Sequence, residues 1–261
     1  MMTTAQEVIQ YMESLCDEQQ REVLMRFFKT APGEYGHGDE FLGLKVPQTR
    51  AVAKEVQDMR LSEISVLLQS RWHEVRLCGL LVLVSQFESL SRQRLVYDEK
   101  SMRKRDEMVD FYLSHAHYAN NWDLVDLSVY KILGHWLLLP TCLGGEPAGL
   151  HLDYKRHVLD TLAQSPILWL QRMSVVCTWK PIQQGDPSWF LRYAEIHLHH
   201  PHDLMQKAVG WMLREMGKRV SMELLRAFLH QHAHEMPRTM LRYAIEKMAD
   251  DERKFWLSKE P

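Results

Sequence analysis

Residues 121–138 read NWDLVDLSVYKILGHWLL and carry the clearest helical pattern of the chain. Apolar side chains recur there mostly three or four residues apart, as they do on the buried face of an α-helix. They include Leu124, Leu127, Val129, Ile132 and Leu133. A half-buried strand would instead alternate apolar and polar residues, and we find no segment that sustains such alternation. The sequence therefore predicts an all-α protein.

The same periodicity extends on both sides of this stretch. Thr4 with Glu7 forms a capping-box pattern at one helix start, and Asp17 opens a second helix. The glycine-rich segment 30–43 is predicted as a loop, and Pro47 as the first turn of a short helix over 48–57. Further helices are predicted at 62–69, 72–87, 92–115, 153–163, 166–178, 187–197, 203–217, 222–232, 237–249 and 252–258.

Helices of this length, joined by short turns, indicate helix-pair units of about 35–45 residues, the scale of HEAT and armadillo-like repeats. We predict a single domain over 1–261, built as a curved α-solenoid of HEAT-like helix pairs whose concave face binds a partner. A division into two domains at the glycine-rich linker 142–150 is the alternative. The prediction depends on helix lengths, because no motif repeats residue by residue.

Composition limits the partners and the compartment. The formal net charge is −2, so a nucleic-acid site would need its Lys and Arg residues gathered on one face. The four cysteines form no CxxC pair and are interpreted as reduced residues of a cytoplasmic protein. They are Cys16, Cys78, Cys142 and Cys177. No apolar run approaches the roughly 20 residues that a transmembrane helix needs. We expect a soluble chain with no membrane partner.

The start of the 121–138 helix combines an indole with two carboxylates. Trp122 and Asp126 are four residues apart and share one helix face. A carboxylate beside a tryptophan suits a site that holds a cation, although an ordinary surface aspartate is the alternative for Asp126. Asp123 lies in the first turn, where the helix dipole favours a carboxylate, so its simplest interpretation is an N-terminal charge.

Arg172 lies on the predicted helix 166–178 between Leu168 and Val176, one turn to either side. An arginine that emerges from an apolar surface usually pairs with a carboxylate or a phosphate. The alternatives at this stage are an anion ligand and an interhelix salt bridge.

The predicted helix 203–217 carries a basic stripe and a glycine. Lys207, Arg214 and Lys218 are spaced by seven and four residues and could follow a phosphate backbone, although such charges are often merely solvated. Gly210 costs a helix about 1 kcal/mol relative to alanine, which indicates that something approaches the backbone closely there. Trp211 is either a core residue or an exposed indole beside the stripe.

Metal and cofactor signals are weak. His230 and His234 have the i, i+4 spacing of metal ligands, but no third ligand accompanies them. Three further histidines flank a proline in a predicted loop, namely His199, His200 and His202. The chain has no Walker A, GxGxxG or GxSxG motif. We predict no metal and no cofactor.

Five segments together resemble one known family, the AlkD-like DNA alkylation repair glycosylases. They occur in the family's order along most of the chain, and the last is the most specific. They are GLKVPQTR at 43–50, HEVR at 73–76, NWDLVD at 121–126, WLQR at 169–172 and QKAVGWMLRE at 206–215. The resemblance implies HEAT-like repeats curved around duplex DNA.

The resemblance also implies an activity, namely hydrolysis of the N-glycosidic bond of cationic N3- and N7-alkylated purines, with the base still stacked. The family's site residues correspond to Trp122, Asp126, Arg172 and Trp211. An ionised Asp126 would stabilise the sugar cation that forms as the bond breaks, and the indole faces would attract the cationic lesion. Arg172 would bind a backbone phosphate.

Two other functions remain open from the sequence. The first is a non-catalytic HEAT-repeat protein that binds damaged or branched DNA, and the second is a protein-interaction scaffold. Double-stranded DNA with alkylated purines is the predicted partner, and a monomer is the predicted state.

Overall fold

The computed structural model describes residues 2–143 and 146–258, and within these ranges the chain is all-α. Only isolated bridges join extended residues in this part of the chain, at Glu40 with Trp72 and at Thr141 with Gly149. The prediction of an all-α protein is confirmed. The ends of the predicted 1–261 domain, and Gly144 and Gly145 in the predicted linker, lie outside the described residues.

Two compact units divide the described chain. The first comprises described residues of Met1–Ile132 and Leu139–Gly149, and the second those of Leu133–Leu138 and Leu150–Pro261. The boundary adjoins the linker at 142–150 that the sequence marked as the alternative break. The single domain and the curved solenoid stay predictions.

The first unit contains the helices from α1 to the first part of α7. Two 3-10 turns, Gln93–Leu95 and Ala116–Tyr118, flank α6. The helices are α1 (Ala5–Ser14), α2 (Glu18–Phe27), α3 (Val46–Glu55), α4 (Leu61–Leu68), α5 (His73–Leu90), α6 (Glu99–Ser114) and α7 (Trp122–Leu137). Helix α5 packs against α3, α4 and α6. It is buried on nearly every side from His73 to Val84, which makes it the centre of this core.

The second unit is organised around a helix of seventeen residues, α12. Its helices are α8 (Leu152–Ala163), α9 (Leu168–Val176), α10 (Trp179–Gln183), α11 (Ser188–Ile196), α12 (Asp203–Arg219), α13 (Met222–His232), α14 (Arg238–Ala244) and α15 (Asp250–Ser258). Helix α12 packs against α9, α10, α13 and α14. A Cβ at Gly210 would lie 2.5 Å from the carbonyl oxygen of Met240 and 2.6 Å from the Cβ of Tyr243. The close approach that this glycine predicted is therefore made by α14.

Side-chain caps or a proline are found at several of the predicted helix starts. The Thr4 hydroxyl accepts a hydrogen bond from the Glu7 amide at 3.3 Å, and the Glu7 carboxylate accepts one from the Thr4 amide at 3.0 Å. Asp17 caps α2 by accepting from the Gln20 amide at 2.9 Å. Pro47 lies in the first turn of α3, as expected. Both capping predictions are confirmed.

The prediction of one helix over 92–115 is wrong in its first part, because Gln93–Leu95 form a 3-10 turn and α6 begins only at Glu99. Asp98 caps α6. The buried guanidinium of Arg105 donates hydrogen bonds to carbonyl groups at the end of α5 and at the turn before α6. Those carbonyls belong to Leu90, Leu95 and Val96, at 2.8, 3.1 and 2.7 Å. The sequence analysis also missed the five-residue helix α10.

Within the described part of the chain, no helix has both the length and the apolar character required to cross a membrane.

Candidate active site

The first turns of α7 line a cavity of about 410 Å³ in the first unit. Trp122 and Asp126 both line it, so the shared helix face predicted from their spacing is confirmed. Both residues are half-buried, which leaves them accessible from the cavity. The remaining lining is largely apolar, and it comes from α2, the 41–46 segment, α5 and α7. The cavity therefore presents a carboxylate and an indole within an apolar wall.

Aromatic rings form the wall beside Trp122. Phe28 stacks on Trp122 with ring centroids 5.4 Å apart, and it also stacks on Phe41 at 5.0 Å. Phe27 meets Trp122 edge-on at 6.0 Å, and 61% of Phe27 is exposed. The sequence analysis had not singled out either phenylalanine. Their positions follow from α2 being packed against the start of α7, which periodicity within one segment does not reveal.

The cavity is bounded by a buried group of charges around His73. The Nδ1 atom of His73 lies 2.7 Å from Oδ2 of Asp39, and its Nε2 atom lies 2.9 Å from Oδ2 of Asp123. Asp39 also accepts hydrogen bonds from the Arg76 guanidinium and, at 3.3 Å, from the Asn121 amide. Two carboxylates thus face two cationic groups, and together they link loop 30–43, α5 and α7. Asp123 does lie in the first turn of α7, but it is also the buried partner of His73.

The imidazole of His73 is held as an imidazolium. Burial alone lowers the pKa of a histidine, but the carboxylates of Asp123 and Asp39 outweigh it and raise the pKa of His73 to about 9. Burial raises the pKa of Asp39, yet the hydrogen bond from His73 and the charges of His73 and Arg76 lower it overall. At neutral pH both ring N–H groups of His73 therefore donate hydrogen bonds to carboxylates.

Glu74 fixes the segment that forms another wall of the cavity. Its buried carboxylate accepts hydrogen bonds from the backbone amides of Leu42, Gly43 and Leu44, at 2.9, 2.9 and 3.1 Å. Gly43 adopts a φ of +90°, and a Cβ there would lie 2.1 Å from the carbonyl oxygen of Asp17. These contacts explain two of the segments noted in the sequence, HEVR at 73–76 and the glycine that begins GLKVPQTR.

Arg172 and Trp211 belong to the second unit. Arg172 is only 5% exposed, and its guanidinium donates a hydrogen bond to the carbonyl of Leu204 at the start of α12. The arginine thus connects α9 with α12 through a backbone acceptor. Trp211 is half-buried, with its ring centroid 5.6 Å from that of Trp179. A contact of Arg172 with phosphate stays a prediction.

The predicted basic stripe lies on α12, but two of its members have acidic neighbours. Lys207 forms a salt bridge with Asp203 at 2.8 Å, and Arg214 pairs with Glu246 on the segment after α14. Lys218 is exposed. Part of the positive charge of the stripe is therefore already neutralised within the protein.

Three of the histidines noted in the sequence, His200, His202 and His230, have structural contacts. His202 caps α12 by accepting a hydrogen bond from the Leu204 amide, and His200 lies 2.8 Å from the side-chain oxygen of Gln171. The ring of His230 packs edge-on against Trp256 at 4.8 Å. In the described residues, no three His, Cys, Asp or Glu side chains come together in a way that could hold a metal ion.

Comparison with known proteins identifies the family. A family model described as "DNA alkylation repair enzyme" matches residues 8–248. A solved structure described as a predicted DNA alkylation repair enzyme from Enterococcus faecalis superposes with a TM-score of 0.63. It is 16% identical, and the match covers 90% of this chain and 97% of that one, which shows a common fold. No curated protein matches this sequence significantly. The family match spans nearly the whole chain, and the protein therefore belongs to the DNA alkylation repair enzyme family.

Proposed function

We propose that this protein is a monofunctional DNA glycosylase that hydrolyses the N-glycosidic bond of cationic N3- and N7-alkylpurines in duplex DNA. The observation that carries the proposal is the joint position of Asp126 and Trp122 in one aromatic cavity. A cationic aromatic ring is attracted to an indole face by about 0.5–2 kcal/mol. A carboxylate in a cavity with apolar walls interacts with a cation more strongly than it would in water.

The reaction needs charge stabilisation more than it needs proton donation. As the C1′–N bond breaks, its electron pair neutralises the positive ring of the alkylated purine, which leaves as an uncharged base. The sugar becomes cationic at C1′, and Asp126 would stabilise that charge. Water then adds to C1′, and its proton passes to Asp126 or to solvent. Atoms and charge balance with water as the only co-reactant.

The second unit would contribute binding groups. Trp211 would offer a further aromatic face to the lesion or its sugar. Arg172 would bind a backbone phosphate, as the family resemblance implies. Lys207, Arg214 and Lys218 would contact the backbone of the same duplex. The C1′–N bond would be broken while the base remains stacked, as the family resemblance implies.

Base release from methylated duplex DNA tests the proposal. The wild-type protein should release 7-methylguanine or 3-methyladenine, and Asp126→Asn should slow that release by about 10²–10⁴-fold. Asp251→Asn is a matched control, because it removes one exposed carboxylate from α15 and should leave the rate unchanged. Wild-type protein that leaves methylated DNA intact, or an Asp126→Asn variant that retains full activity, would contradict the assignment. Binding without release would instead favour the non-catalytic DNA-binding alternative.

A further inference from the structure

A second groove in the first unit collects positive charge between α3, α5 and α7. It has a volume of about 180 Å³ and is lined by Arg50, Lys54 and Lys131, with Glu88 as the one acidic side chain. Lys131 lies 3.7 Å from the Glu88 carboxylate. Three cationic groups thus face one carboxylate, so the groove has a net charge of about +2 at neutral pH. This excess contrasts with the net charge of −2 for the whole chain.

Two of these cations have no ion-pair partner among the described residues. Arg50 and Lys54 are both exposed and lie four residues apart on α3, so they project from the same helix face. Like charges at this spacing repel each other and destabilise a helix. Lys207 and Arg214 on α12 are instead paired with carboxylates. The α3 face is therefore better prepared to bind an anion than the basic stripe that the sequence suggested.

Tyr130 lies on α7, the helix that also carries Asp126. Burial and the charge of Glu88 raise the pKa of Tyr130, while the charge of Arg50 acts in the opposite direction. The ammonium of Lys131 lies 5.8 Å from the centroid of the Tyr130 ring. Trp122, Asp126 and Tyr130 follow one another at intervals of four residues on one face of α7. The next residue, Lys131, lines the basic groove.

The aromatic cavity and the groove are lined by the same three helices at positions one turn apart. These positions are Val46 and Arg50 on α3, Leu77 and Leu81 on α5, and Leu127 and Lys131 on α7. A phosphate held in the groove would therefore belong to a nucleotide near the one whose C1′ faces Asp126.

We propose that Arg50, Lys54 and Lys131 form a binding site for a backbone phosphate of duplex DNA. The inference rests on the proposed function, because it takes the duplex to be the partner of the cavity that holds Asp126. The site positions the strand, and it reads no base because phosphates carry no sequence information. It also resolves the apparent conflict between an acidic chain and a DNA partner, because the cations are concentrated where the strand would pass.

The test compares two double variants that remove the same charge. Arg50→Gln/Lys54→Gln removes the α3 cations, and Lys100→Gln/Lys104→Gln removes two exposed lysines at the same spacing on α6. Glutamine is a good helix former, and all four positions are exposed, so both variants should fold, which circular dichroism checks. Affinity for an unmodified duplex oligonucleotide is measured by fluorescence anisotropy at several salt concentrations between about 50 and about 200 mM.

The slope of log affinity against log salt is the decisive readout, because each phosphate of B-DNA that the protein neutralises steepens it by about 0.9. We expect the slope of the α3 variant to be shallower than that of the wild type by about 0.9, the value for one phosphate. The α6 variant should keep the wild-type slope. Equal slopes for the α3 variant and the wild type, or equally shallow slopes for both variants, would overturn the phosphate site.

Base release by the wild-type protein is measured in parallel and separates the two proposals. If the wild type binds and excises while the α3 variant behaves like the control, only the groove assignment fails. If the wild type binds DNA but releases no base, the glycosylase proposal fails, and the salt slopes still decide whether the groove binds phosphate. A wild-type protein that does not bind duplex DNA at low salt refutes both.

Discussion

Raising the pH should destabilise this protein by removing one proton from His73. The imidazolium is enclosed by Asp39 and Asp123, with 2% of its side chain exposed. When it becomes neutral, one ring nitrogen no longer carries a proton, and the carboxylate that faced it is left without that hydrogen bond. Arg76, which pairs with Asp39, is then the remaining cation beside the two buried carboxylates. Buried charges that are deprived of a partner destabilise a fold strongly.

The magnitude follows from the pKa of this group. The pKa of His73 is raised from 6.5, the value expected for an unfolded chain, to about 9. Each unit of pKa difference corresponds to about 1.4 kcal/mol, so the imidazolium contributes about 3 kcal/mol to the free energy of unfolding. Because the folded-state pKa is the higher one, the whole contribution is present below about pH 6.5. It declines above that pH and is gone once the pH has passed about 9.

Urea unfolding at a series of pH values measures this decline, and His73→Gln supplies the comparison. Between pH 6.5 and pH 9.5, the free energy of unfolding should fall by about 3 kcal/mol more in the wild type than in His73→Gln. His117→Gln, at an exposed position in the same unit, should show the wild-type decline. If His73→Gln is too unstable to unfold cooperatively, NMR titration of the wild-type imidazole gives the pKa directly. Parallel stability curves for wild type and His73→Gln, or an imidazole that titrates near pH 6.5, would refute the reasoning.

Two further substitutions test the contacts that shape each unit. Glu74→Gln should lower the free energy of unfolding by about 1–3 kcal/mol in urea titrations, because the new amide group faces the Leu42 N–H with a donor in place of an acceptor. An unchanged stability would show that the 42–44 segment does not depend on this carboxylate. Gly210→Ala should destabilise the protein by about 1–3 kcal/mol, because the added methyl group meets the Met240 carbonyl at 2.5 Å. A stabilisation near the 1 kcal/mol expected from helix propensity would contradict that close packing.

The elements that could be predicted from the sequence depend on neighbours within a few residues. The capping box of Thr4 and Glu7 joins residues three apart, and the common face of Trp122 and Asp126 joins residues four apart. The prediction of one helix over 92–115 is wrong because a contact between distant residues decides the structure there. Arg105 binds carbonyl groups between nine and fifteen residues earlier in the chain, and helical periodicity carries no information about such a contact.

The charged group beneath the cavity could not be predicted in the same way. Asp39 and Asp123 contact His73 from positions 34 and 50 residues away in the chain, one from a loop and one from a helix start. One signal was nevertheless available. His73, Glu74 and Arg76 directly precede a fully apolar run on the same helix, and polar groups that enter a core must find partners there. A search for those partners would have directed attention to unassigned acidic residues such as Asp39.

The buried polar groups of the cavity restrict the chemistry that the proposed glycosylase can perform. Both ring nitrogens of His73 lie within hydrogen-bond distance of carboxylates, and the Glu74 carboxylate accepts three backbone N–H groups. Neither group is arranged to protonate a leaving base. Asp126 offers a carboxylate suited to a developing cation, so the proposed reaction would favour purines that already carry positive charge. An undamaged purine would have to depart as an anion, and these buried side chains provide no proton to prevent that. Selectivity for alkylated bases would thus arise from the lack of acid assistance as well as from attraction of the cation.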